Sequence, residues 1–69
     1  MTPGSFLREK RKSKKLKQLY ISSLLGITDE RISAWEKDKC LPPTIKLSKL
    51  HELYGFDMNE FMEIVRRVA

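Results

Sequence analysis

The 69-residue chain carries one thiol, Cys40, and one imidazole, His51. A nucleophile and its base would have to be built from these two, and neither an oxyanion-stabilising feature nor a metal-ligand spacing accompanies them. A thiolate metal cluster or an internal disulfide needs a second Cys, and a histidine metal site needs a partner at ligand spacing. No enzyme, metal centre or cofactor is therefore expected. His51, one turn from Leu47, reads as a solvated or hydrogen-bonded structural residue. A lone Cys suits a reducing, intracellular setting.

The chemistry that remains is charge. The formal net charge is +5, and Arg8, Lys10, Arg11, Lys12, Lys14, Lys15 and Lys17 fall in one short run with Glu9 as the single acid among them. Such a run is either a solvated face or the footprint of a polyanionic partner, with nucleic acid favoured over a membrane surface. The apolar runs are only a few residues long, far short of the roughly 20 that a spanning helix requires. No signal peptide is read at the start, so the expected residence is cytoplasmic.

These charges must be held by helices. A composition of 41% hydrophobic residues with three Gly and three Pro, and no alternating β-branched run, points to an all-α bundle. In the stretch from Gln18 to Lys37, Ile21, Leu24 and Leu25 give one amphipathic turn and a half, Gly26 supplies a positive-φ joint and Ile27 is the buried residue of the turn. Thr28 opens a second helix as its cap, Asp29 and Glu30 suit the positive end of its dipole, and Ile32 with Trp35 forms the inward stripe. A helix-turn-helix is the economical reading.

Leu7, Arg11, Leu16, Gln18, Ile21, Ser22, Gly26, Ile27, Thr28, Ile32, Ser33 and Glu36, followed in register by Pro42, Leu47, Leu50, Tyr54, Gly55, Phe56 and Phe61, resemble the Xre, or Cro and lambda-repressor-like, helix-turn-helix family. The resemblance covers nearly the whole chain. Lys15 and Asp38 stand where that family usually has Gly, and His51 where it usually has a small residue. It implies a compact five-helix lambda-repressor-like DNA-binding domain spanning 1–69, with the helix-turn-helix at about 18–37 and a C-terminal helix at about 58–68.

The implied function is that of a sequence-specific transcription regulator, a repressor or controller that occupies an operator in double-stranded DNA, associated with the nucleoid. The outer face of the second motif helix enters the major groove in such proteins. That makes Asp29, Glu30, Arg31, Ser33 and Ala34 the candidate base readers. A carboxylate can accept the cytosine amino group and Arg31 can fork onto guanine, which suggests a G·C-containing half-site; alternatively Asp29 and Glu30 serve only the helix terminus. Lys17, Gln18, Thr28, Lys37 and Lys39 are the candidate phosphate contacts, with Thr28 mainly a cap. The resemblance also implies an ion pair between Arg11 and Glu36.

Thr2 and Pro3 open a first helix from about Pro3 to Ser13. A fourth helix is expected to be capped near Thr44, to bury Ile45, Leu47, Leu50, Leu53 and Tyr54, and to close at Gly55. Asp57 and Glu60 form a capping box for the last helix, whose stripe of Phe61, Ile64, Val65 and Val68 is a candidate homodimer interface. Leu19, Tyr20 and Leu24 exceed what the core face of their helix needs. They either pack partly against the C-terminal helix or form a patch for a protein partner, the basis of a competing reading as an interaction module. A third reading is sequence-independent binding through the basic first helix.

Overall fold

The computed structural model describes residues 1–68, and Ala69 lies outside the described residues. Five helices account for the regular structure: α1 (Pro3–Ser13), α2 (Gln18–Leu25), α3 (Asp29–Glu36), α4 (Thr44–Tyr54) and α5 (Met58–Val68). No strand occurs among the described residues.

Each helix starts and stops for a local reason. Thr2 caps α1 by accepting the Ser5 N–H, and the Ser5 hydroxyl oxygen accepts the Thr2 N–H in return, with Pro at the first helical position. Gly26 (φ 68°) and Gly55 (φ 71°) close α2 and α4 in left-handed geometry. The two other turns that need positive φ hold side chains, Lys15 at 58° and Asp38 at 62°.

The core is one cluster. Phe6 and Leu7 of α1, Ile21 and Leu25 of α2, Ile32 and Trp35 of α3, Leu50 and Tyr54 of α4, Phe56 of the following turn and Phe61 of α5 are buried together. Phe6, Phe56 and Phe61 stack at 5.4–5.7 Å between ring centroids, an edge and tilted geometry that favours the ring quadrupoles. α3 packs on α1 and α2, and α5 packs on α1.

Several expectations for the second half change. Pro43 precedes α4 without a side-chain cap, and Thr44 is the first helical residue. Ile45 is exposed rather than core, because α4 turns that position away, and Leu47 and Leu53 are only half-buried. Asp57 Oδ1 accepts the Asn59 N–H at 2.9 Å and so caps α5 at its second residue, while neither bond of the expected capping box with Glu60 forms among the described residues. Phe61 is 1% exposed. It belongs to the protomer's own core and leaves the candidate dimer face, since one ring cannot fill both; Ile64 and Val65 are half-buried and Val68 is exposed.

Candidate nucleic-acid interface

α3 stands on a rigid base. Ile32 and Trp35 point into the core, and Thr28 Oγ1 accepts the Arg31 N–H at 3.3 Å, so the helix begins at a defined residue. This leaves Asp29, Glu30 and Arg31 exposed side by side in the first turn, with Ser33 and Ala34 half-buried behind them. The two carboxylates sit where the helix dipole favours negative charge. Past the far end of the helix, Lys37 and Lys39 are both exposed.

The other end of α3 is anchored by a buried charge network. Glu36 Oε2 accepts Arg11 Nε at 2.7 Å, and Glu36 Oε1 accepts Arg11 Nη2 at 3.1 Å. The remaining Arg11 nitrogen donates to the Leu16 carbonyl at 2.7 Å, so one guanidinium ties α1 to the α1–α2 turn and to α3. Arg11 and Glu36 are both buried. The hydrogen bond to Glu36 outweighs burial and holds the guanidinium above its ordinary pKa. Beside them, burial first and the Glu36 charge second raise the Tyr54 phenol well above its usual range.

Gln18 belongs to the same network. Its Nε2 donates to Glu36 Oε1 at 2.9 Å, so the side chain is turned toward α3 rather than reaching freely outward. Lys17, which precedes α2, makes no side-chain cap, and the first-turn amides of α2 carry no side-chain acceptor there. Those amides and the second N–H of Gln18 remain available to an anion.

Two contacts were not read from the sequence. Gly4 N–H donates to Asp38 Oδ1 at 2.8 Å, which joins the start of α1 to the turn after α3. A Cβ on Gly4 would lie 2.5 Å from the Glu36 carbonyl oxygen and 2.6 Å from that of Trp35, so α1 approaches the end of α3 as only Gly permits. Lys46 Nζ donates to the Leu25 carbonyl at 2.9 Å and satisfies the end of α2 from α4. The positions of Gly4 and Asp38 as neighbours across the fold depend on a helix crossing, which spacing along the chain does not encode.

The three apolar side chains of α2 beyond its core face stay outside the core. Leu19 is 69%, Tyr20 53% and Leu24 49% exposed. α5 does not cover them, because it packs on α1 instead.

A family model described as a helix-turn-helix domain matches residues 4–65. The chain belongs to that helix-turn-helix family. Over 61 residues, 88% of its length, this helix-turn-helix domain is 38% identical to the HTH-type transcriptional regulator PuuR of Escherichia coli (strain K12), and to the same extent to the regulator of that name from Shigella flexneri. Over 56 residues it is 36% identical to the ImmF control region 10 kDa protein of Bacillus phage phi105. The chain spans 33% of the length of the two regulators and 62% of the phage protein. No solved structure matches it. At the level of the family, this is the domain of DNA-binding regulators rather than of enzymes. No helix of the described residues is long and apolar enough to cross a membrane.

Proposed function

We propose that this helix-turn-helix domain binds double-stranded DNA sequence-specifically and regulates transcription by occupying an operator, as a repressor or controller acting on the nucleoid. The observation that carries this reading is the presentation of α3. Its first turn exposes Asp29, Glu30 and Arg31 on a helix fixed by a cap at one end and a buried ion pair at the other. Ser33 and Ala34 complete the base-reading face. Arg31 suits guanine, and Glu30 or Asp29 suits the cytosine amino group. Lys17, Gln18, Lys37 and Lys39 supply phosphate contacts and the salt-sensitive part of affinity, with Thr28 serving mainly as a cap.

The functional unit in this reading is a homodimer on two half-sites about one DNA turn apart. Its contact uses the exposed edge of α5 around Val68, with the half-buried Ile64 and Val65 beneath, and not Phe61. A second reading, a protein-interaction module on the same fold, draws on the exposure of Leu19, Tyr20 and Leu24. Footprinting on a promoter-containing fragment separates the two. A protected, salt-sensitive site of dyad symmetry supports the regulator, and absence of protection at low salt favours the interaction module.

A further inference from the structure

The α1–α2 turn and the outer side of α2 form a shallow groove of about 540 Å³, lined by Lys15, Leu16, Lys17, Leu19, Tyr20 and Ser23. Its wall follows from the helix repeat: Leu19 and Ser23 lie one turn apart along one row of α2, and Tyr20 and Leu24 along the next. Ile21, Ser22 and Leu25 take the core face, so these rows face solvent. Lys15 and Lys17 are exposed and form no ion pair among the described residues. No carboxylate lines the groove. An apolar surface and two uncompensated ammonium groups therefore share one site.

We propose that this groove docks an acidic, apolar segment of a partner protein, and that docking displaces DNA from the start of α2. The apolar side chains of the segment lie on Leu16, Leu19 and Tyr20, and its carboxylates meet Lys15 and Lys17. Charge selects the occupant. A second copy seated two-fold on the same face brings Lys15 and Lys17 against their own counterparts, and like charges across a contact oppose it. An acidic segment meets them with the opposite sign, on a chain whose formal net charge is +5. Tyr20 suits such a contact, since its ring offers a large apolar face with a polar tip. The exclusion of DNA rests on the phosphate role given to Lys17 in the DNA-binding reading above. One ammonium cannot serve the carboxylate and the phosphate together, and a bound acidic segment repels the duplex from the start of α2. The interaction-module reading sets this patch against DNA binding, whereas here one domain takes the two partners in turn.

Selection of a random peptide library on the wild-type domain, with the Leu19→Ser, Tyr20→Ser variant as counter-selection, tests this chemistry. Both positions are exposed, and urea midpoints check that each variant is folded. The enriched peptides are expected to pair carboxylates with large apolar residues. One of them, labelled, should bind the variant about tenfold more weakly or worse. Lys15→Gln, Lys17→Gln should weaken it more at low salt than at high salt. Unlabelled, the same peptide should release a labelled mixed-sequence duplex from wild type. No enrichment over the variant, or enriched peptides without acidic residues, overturns the docking site. A ternary complex of peptide, protein and duplex overturns the exclusion. A dimer in sedimentation that the variant loses gives the groove to a second copy, and variant-sensitive binding to anionic phospholipid vesicles gives it to a membrane surface; either result overturns the proposal. A wild-type protein without salt-dependent DNA binding overturns the DNA-binding reading and the exclusion with it, while the peptide selection still decides the docking site.

Discussion

Breaking the Arg11–Glu36 pair from one side should nearly unfold this domain, whereas replacing both partners should not. In Arg11→Met, the Glu36 carboxylate stays buried, loses two charge-assisted bonds at 2.7 and 3.1 Å, and keeps only Gln18. The Leu16 carbonyl also loses its donor. Removing one partner of a buried pair costs about 3–5 kcal/mol, since an uncompensated charge remains. A domain this small is stable by only about 5 kcal/mol, so the single variant sits near its unfolding threshold. In Arg11→Met, Glu36→Leu, no buried charge is left, and the coupling between the two substitutions should recover about 2 kcal/mol or more. Urea denaturation followed by the fluorescence of the buried Trp35 and by helical circular dichroism measures both. A loss below about 1 kcal/mol for Arg11→Met, or strict additivity in the double variant, would refute the reasoning.

Other expectations follow from single contacts. Gly4→Ala places a methyl 2.5–2.8 Å from the Glu36 and Trp35 carbonyl oxygens and Asp38 Oδ1, and should cost about 1–3 kcal/mol in the urea midpoint, as overpacking does. Lys15→Gly relieves a side chain at φ 58° and should stabilise by up to about 1 kcal/mol. Asp38→Gly relieves the same geometry at φ 62° but forfeits the bond to Gly4 N–H, so its melting temperature should fall below that of Lys15→Gly. Folding raises the Tyr54 pKa above its ordinary 10.0, so the folded state holds that proton more tightly than the unfolded chain. The associated stability is full below pH 10.0 and declines above it, and Tyr54→Phe should remove that part of the alkaline loss in denaturation curves.

What the sequence displays are features set within a turn or two of chain. The α1 cap at Thr2, the left-handed joint at Gly26, the inward pair Ile32 and Trp35, and the core residues Ile21 and Leu50 are all local pattern, and the structure has them as read. The contact of Arg11 with Glu36 spans distant positions and was implied by resemblance, not by periodicity. What depends on how helices cross was hidden. The partner of Gln18, the Gly4–Asp38 join and the burial of Phe61 in the chain's own core arise where one helix meets another. Ile45 misled because an apolar residue at helical spacing near a helix start can face outward as readily as inward when no neighbour covers that turn. At the candidate interface, the exposed first turn of α3 was legible from the amphipathic pattern. A cleft lined by Arg8, Gln18 and Lys37 was not, because it is made by three helices at once.

Base reading by the outer face of α3 is the step on which the proposed regulator depends. Selection of bound sequences from a random duplex pool at fixed, near-physiological salt tests it most directly, with Glu30→Ala, Arg31→Ala run in parallel. Both residues are exposed and outside the core, so the variant should fold as wild type does. A dyad-symmetric site with G·C pairs in each half is expected for wild type, and weak binding without base preference for the variant. A wild-type pool with no enriched sequence, or a variant that enriches the same site, would contradict it.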